Sequence, residues 1–257
     1  TPPMISVVIP TLNAEAGLPA CLSALVPAMV EGLVREVVVV DGGSTDQTLR
    51  IADQAGVEVL AATEANRGAQ LALGAAKSRH PWLLFLHADT ALGEGWVREV
   101  RTFIDRIETG ERRDTIAAFR FALDDEGLKP RLLEAGVALR CALLKLPYGD
   151  QGLLISRRRY TEIGGYRPLR LMEDVAIVQS VPRRDRIILR TPAVTSAKRY
   201  RRDGYLLRPL RNWLCIALYS LRAPQAWIER IYGIDAPLPV LHRERVKAIE
   251  RSDKGRG

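Results

Sequence analysis

The stretch Leu83 to Thr90 reads Leu-Leu-Phe-Leu-His-Ala-Asp-Thr, an apolar run that passes directly into a histidine and an aspartate. A run without polar alternation has no solvent face. It fits a strand buried on both sides, as in a parallel sheet covered by helices. Open sheets of this kind gather ligands at the carboxyl ends of their strands, which is where Asp89 falls. Two readings of Asp89 follow: an N-cap for the helix that comes next, or an oxygen ligand for a metal.

The segments on either side repeat the pattern. Ile5 to Ile9 is a strand closed by Pro10-Thr11-Leu12-Asn13, and Leu18, Leu22, Leu25 and Val26 follow at helical spacing. Arg35 to Val40 is a second strand, closed by Asp41-Gly42-Gly43-Ser44-Thr45-Asp46, with a helix reaching about Ala55. Val57 to Leu60 is a third strand, and the alanine-rich Gly68 to Ser78 is helical. This order predicts an α/β fold with a doubly wound, mostly parallel sheet. Further on, Trp96 to Ile107 and Leu132 to Leu146 have helical patterns, and Ile116 to Leu123 and Gly152 to Ser156 read as strands. A helix through Ile163 stops at Gly164-Gly165, and Leu171 to Asp174 opens another. Two short strands, Ile187 to Leu189 and Ala193 to Ser196, precede the basic segment Lys198 to Arg202.

Composition narrows the function classes. The three cysteines have neither the spacing of a zinc site nor that of a disulfide framework, which points to a reducing, cytoplasmic setting. The net charge of +8 is concentrated in the second half, at Arg157 to Arg159, Arg183 to Arg186 and Lys198 to Arg202, so anionic partners are expected. For Arg157 to Arg159 a solvated helix start is favoured over a ligand clamp. The start at Thr1 carries no signal-peptide pattern, and Trp213 to Leu221 is too short to span a bilayer, which takes about 20 apolar residues.

Four polar clusters stand just after strands or at a helix start: Pro10 to Asn13, Asp41 to Asp46, His87 to Asp89, and Glu173-Asp174. Each alone is an ordinary turn or cap, and Glu173-Asp174 alone reads as the acidic first turn of a helix. Together they fall where a parallel sheet brings strand ends to one cleft. No Gly-x-Gly-x-x-Gly, Walker lysine or Gly-x-Ser-x-Gly motif is present, so the chemistry is carboxylate-based. Hard cations such as Mg2+ or Mn2+ suit such a site.

The succession Val-Val-Ile-Pro-Thr-Leu-Asn, Val-Val-Val-Asp-Gly-Gly-Ser-Thr-Asp, Asn-Arg-Gly-Ala-Gln, Leu-His-Ala-Asp-Thr, Gly-Asp-Gln-Gly and Met-Glu-Asp-Val resembles the family 2 glycosyltransferases of the GT-A fold, over almost the whole chain. Within them, His-Ala-Asp and Gly-Asp-Gln-Gly are similar to a bacterial subgroup labelled as arsenosugar-biosynthesis-type or radical-SAM/selenodomain-associated transferases.

The resemblance implies a GT-A catalytic domain over 1–203, with a nucleotide-binding half to about 112 and an acceptor half from about 113. A helical segment over 204–250 and a disordered tail over 251–257 would follow. It implies an inverting transfer from a nucleoside diphosphate sugar, UDP before other nucleotides, to a small or lipid-linked hydroxyl acceptor. By the same resemblance Pro10, Thr11, Asn13, Glu15, Asp41, Gly42, Ser44, Arg67, Gly68, Gln70 and Ala88 would line the nucleotide, with Asp41 accepting from the base. Asp89 would ligate Mg2+ or Mn2+, assisted by His87, which stands where the family's Asp-x-Asp motif has its first carboxylate. Asp174 would be the general base with Glu173 supporting it. Asp150 and Gln151 would contact donor sugar or acceptor, and Arg199 or Arg202 would close over the diphosphate.

Two other functions compete. A sugar nucleotidyltransferase calls for a glycine- and lysine-rich loop after the first strand, which Pro10 to Asn13 does not supply. A silent protein holding RNA or acidic membrane through its basic half is the other, but the aromatic content of 6% is low for base stacking, and no nucleic-acid partner is expected. The segment 205–232 reads as an amphipathic helix pair broken at Pro224. It suits peripheral contact with the inner face of a membrane, packing over the acceptor site, or a homodimer contact.

Overall fold

The computed structural model describes residues 3–63, 65–205, 207–221 and 223–232. The first half runs β1 (Ile5–Thr11), α1 (Leu18–Ser23), α2 (Val26–Val30), β2 (Val34–Asp41), α3 (Thr48–Gln54), β3 (Glu58–Ala61), α4 (Arg67–Lys77) and β4 (Trp82–Phe85). It continues with β5 (Thr90–Leu92), α5 (Trp96–Glu108), β6 (Ile116–Leu123), α6 (Leu128–Leu144), β7 (Leu153–Ser156), α7 (Arg157–Glu162) and α8 (Glu173–Gln179). Last come β8 (Arg186–Thr195), α9 (Lys198–Asp203), α10 (Leu207–Ser220) and α11 (Gln225–Tyr232).

One sheet of eight strands has the order β3-β2-β1-β4-β7-β6-β8-β5. β3, β2, β1 and β4 are mutually parallel, β7 runs antiparallel between β4 and β6, and β8 is parallel to β6. The carboxyl ends of β1, β2, β4, β6 and β8 therefore share one edge with the start of β7. The apolar run that begins at Leu83 is buried on both faces: Leu84 and Leu86 join the core that holds Ile9, Val39 and Phe119, while Leu83 and Phe85 join the one that holds Val8, Val40 and Ile155. The α4 helix lies close against β1, since a β-carbon at Gly74 would come 2.3 Å from Val8 Cγ1.

Three sequence expectations change. The helix expected through Val26 is two short helices, each with a proline in its first turn. Pro27 has no N–H to continue the first helix and crowds its last carbonyls. Asp89 caps no helix, because Thr90–Leu92 pairs with β8 and α5 begins only at Trp96, after Gly95 at φ +82°. The two strands expected on either side of Pro192 are one strand, β8. Its register against β6 passes from Ala118↔Ile188 to Arg120↔Pro192, so the extra residues bulge out. The Glu99 carboxylate accepts the N–H groups of Arg190 and Thr191 at 2.8 Å each, which satisfies the backbone the bulge leaves open.

The α10 and α11 helices pack together and onto the edge that carries these strand ends: Cys215 and Ile228 are fully buried with Leu171, and Ile216 joins the core beneath α8. Among the described residues no helix is long and apolar enough to cross a membrane. Residues 233–257, including the tail 251–257, lie outside the described residues.

Candidate active site

The loops at the shared edge are held by side chains that the motifs supply. Asp41 is buried and accepts four hydrogen bonds, from the Thr11 and Ser44 hydroxyls and from the N–H groups of Gly43 and Ser44. Asn13 Oδ1 accepts from Thr45 N–H at 2.8 Å, and the Asn13 N–H donates to Ser44 Oγ. Glu15 accepts from the Gln47 N–H. The amide of buried Gln70 donates to the carbonyls of Thr11 and Val40, tying β1 to β2, and Gly42 N–H also donates to Thr11 O. These residues organise the rim, and Asp41 and Gln70 have their oxygens and amide hydrogens committed within it.

A second docking brings the cationic and acidic groups together. Asn66 caps α4 by accepting from Ala69 N–H, and its own amide reaches the carbonyl of Pro168. Gly68 lets the segment 167–169 come close, since a β-carbon there would lie 2.2 Å from the Arg167 carbonyl oxygen. Arg67 is thereby set against the first turn of α8. Its Nε donates to Glu173 Oε1, and Nη2 lies 3.5 Å from Asp174 Oδ2. Both carboxylates sit in the first turn of a helix, as their sequence alone suggests, yet both are buried, and Asp174 lines the cleft.

His87 Nε2 lies 3.7 Å from Asp174 Oδ2 and has no hydrogen-bond partner among the described residues. Tyr166 Oη lies 3.5 Å from Asp174 Oδ1. Burial alone would raise the Asp174 carboxyl, but the Arg67 guanidinium and neighbouring His87 outweigh it and lower it to about 2. Burial dominates at Glu173, whose carboxyl is raised despite Arg67. Burial also raises Asp150 and holds the Tyr166 phenol well above its ordinary value. The cleft thus has an ionised Asp174 beside a phenol that keeps its proton.

Arg67, His87, Asp89, Asp150 and Asp174 line one cleft together with Tyr148, Thr195, Tyr200, Asn212 and Tyr232. Ala88 is buried between the two polar members of its motif. Gln151 does not reach the cleft: it is 1% exposed, takes bonds from Arg140 and Tyr148 N–H, and donates to Phe119 O. The expected contact of Gln151 with sugar or acceptor is replaced by a structural one, because its amide fills the hydrogen-bond needs of the turn before β7. Arg202 is exposed on α9, and the Arg199 side chain is outside the described ones. Arg157 to Arg159 are held by His80 O, Asp114 and Asp185.

Gly149, Tyr166 and Asn212 join the site without having been expected from the motifs. A β-carbon on Gly149 would fall 2.1 Å from Asp174 Oδ2 and 2.5 Å from His87 Nε2, so this glycine makes room for both. Its place in Gly-Asp-Gln-Gly was visible. Tyr166 was hidden behind a glycine pair that reads as a helix stop, and Asn212 carries no local signal.

A family model described as "Glycosyl transferase family 2" matches residues 6–171, more than half of the chain. The chain belongs to glycosyl transferase family 2. A PGL/p-HBAD biosynthesis glycosyltransferase of Mycobacterium tuberculosis is 38% identical over 122 residues, which cover 42% of this chain and 44% of the relative. An uncharacterized glycosyltransferase of the same organism is 31% identical over 112 residues, covering 42% of this chain and 49% of that one. The chain thus spans less than half the length of these curated relatives. Among solved structures, glucosyl-3-phosphoglycerate synthase from Mycobacterium tuberculosis with Mn2+, UDP-glucose and phosphoglyceric acid superposes with a TM-score of 0.59. It is 22% identical, and the match covers 86% of this chain and 81% of that one. The same enzyme with Mg2+ and UDP gives a TM-score of 0.58 at 21% identity, covering 86% of this chain and 80% of that one. The fold is GT-A.

Proposed function

We propose that the protein is an inverting glycosyltransferase that moves a sugar from a UDP-sugar to a hydroxyl acceptor, with Asp174 as general base. The observation that carries this is the ionised, cleft-lining Asp174, held in place by Arg67 and flanked by His87, Asp89 and Asp150. An acceptor hydroxyl attacking the anomeric carbon must lose its proton, and a fixed carboxylate takes it in the transition state. Arg67 has a second use here, since a guanidinium at the cleft edge stabilises charge that develops on a leaving diphosphate.

A divalent cation fits the donors present. Asp89 and the unpartnered Nε2 of His87 line the same cleft. Among the described residues no three carboxylate, histidine or cysteine groups converge on one point. Mg2+ and Mn2+ are commonly held by one or two protein groups with phosphate oxygens completing the shell. Bound there by Asp89 and His87, the ion would neutralise charge on the diphosphate. The choice of UDP follows the structural neighbours, which bind it with Mn2+ or Mg2+. The likeness to the arsenosugar-biosynthesis-type subgroup rests on His-Ala-Asp and Gly-Asp-Gln-Gly, both of which contribute cleft residues.

A thermal-shift panel of nucleoside diphosphates and their sugars, with and without Mn2+, tests the reading. UDP-sugars with Mn2+ are expected to raise Tm, and the cation dependence to vanish in Asp89→Ala. Asp174→Asn is expected to lower turnover by roughly a hundredfold or more while leaving UDP affinity intact. Full turnover in that variant would refute the base assignment.

A further inference from the structure

We propose that the acceptor is an alcohol carried on a long aliphatic chain, and that the chain lies in a groove between α6, α9 and α10. This rests on the transferase reading and adds the class of acceptor to it. The groove is about 930 Å³ in volume. Leu132, Leu133 and Val137 of α6 form one wall, and Tyr205 and Trp213 stand on the other.

The groove is continuous with the catalytic cleft, because Tyr148, Asp150, Tyr200 and Asn212 line both. At that junction Tyr148 Oη, Asp150 Oδ1 and Asn212 Oδ1 are buried with no hydrogen-bond partner among the described residues. Buried polar atoms left open in this way are costly unless a ligand pairs with them. They mark a place for a hydroxyl at the inner end of a passage whose outer part is apolar. An occupant that meets both needs has a polar head and an aliphatic body.

Charge points the same way. Arg140 is turned onto the Tyr148 ring at 3.5 Å and donates to Gln151, while Arg201 pairs with Asp125. These guanidiniums brace the walls, and the remaining lining cation, Lys129, is exposed. The apolar surface also continues past the groove. Leu128, Leu139 and Leu143 on α6 are 60–75% exposed, as is Leu210 on α10. A helix that exposes Leu128, Leu132, Leu139 and Leu143 to solvent has a surface suited to an apolar ligand.

The test uses n-alkanols from butanol to dodecanol as probes of the full chain, titrated calorimetrically with and without UDP and Mn2+. Affinity is expected to rise about fourfold per added methylene until the groove is filled. Gly136→Phe is the blocking variant. A β-carbon at Gly136 meets nothing within 4 Å, so the helix accepts the ring, and Gly136 lines the groove, so the ring obstructs the path of a chain along α6. It is expected to abolish the chain-length dependence and keep UDP binding. Val30→Gln, an equally exposed apolar position on α2 that lines neither the groove nor the cleft, is expected to change neither.

UDP binding without chain-length dependence would overturn the lipid-like acceptor and leave the transferase reading intact. Alkanol binding in a protein that shows no response to UDP would overturn both the acceptor assignment and that reading. If Gly136→Phe leaves alkanol affinity unchanged, or turns a dimer into a monomer by light scattering, the groove holds another segment of this chain or a second copy, and the proposal fails.

Discussion

Neutralising Asp174 is expected to destabilise the protein at neutral pH. Catalytic carboxylates often gain stability when replaced, because their burial is unfavourable, but here Arg67 reverses the sign. The Asp174 carboxyl drops from 3.8 to about 2 on folding. At about 1.4 kcal/mol per pH unit, that difference corresponds to about 2 kcal/mol of stability supplied by the ionised form. The folded value is the lower one, so this contribution is complete above about pH 4 and disappears as the pH falls through about 2. Glu173 behaves oppositely: its raised carboxyl contributes stability below the ordinary value of 4.5 and loses it as the pH rises. Asp174→Asn should therefore lose about 2 kcal/mol at pH 7, or about 4–8 °C in Tm for a chain of this size. Glu173→Gln should lose less. Urea unfolding of the metal-free protein at pH 7 and pH 3 measures both, with the Asp174→Asn deficit shrinking at the lower pH. A variant as stable as the parent at pH 7, or a deficit independent of pH, would refute the claim that Arg67 outweighs burial.

Replacing Gly149 with alanine puts a methyl group 2.1 Å from Asp174 Oδ2, so turnover should fall at least tenfold while circular dichroism and UDP affinity stay unchanged. In Gln70→Leu the Val40 carbonyl loses the Gln70 donor and the Thr11 carbonyl keeps only that of Gly42, and chemical denaturation should show a loss of about 1–3 kcal/mol. Arg67→Met removes the group that depresses Asp174, so the acidic limb of the kcat/KM profile should move to higher pH. An unmoved limb would show that His87 alone sets the Asp174 value.

Much of the architecture was legible because burial on both faces leaves a plain signature. Leu83 to Leu86 and Val37 to Val40 carry no polar alternation, and β6 was readable from Ile116 to Leu123 for the same reason. Where reading failed, a long-range partner had overridden a local signal. Thr191-Pro192 looks like a break, yet Glu99, distant in sequence, satisfies the bulge and the strand continues. Asp89-Thr90 looks like a helix cap, yet Thr90 pairs with Thr195 across β8.

The candidate site divides along the same line. By itself the sequence determined which chemistry was available: carboxylates and a histidine at strand ends, no phosphate loop, no Gly-x-Ser-x-Gly elbow, no zinc spacing. Those are properties of residue type and position along the chain. Only the tertiary structure decided which groups meet. Gln151 turned out to brace a loop while Gly149 beside it opens the cleft, and Arg67 reached Glu173 and Asp174 across more than a hundred residues because Gly68 lets two segments touch. Ionisation also depends on neighbours from several elements at once. Asp174 and Glu173 are adjacent in sequence, yet burial and one shared guanidinium drive them in opposite directions.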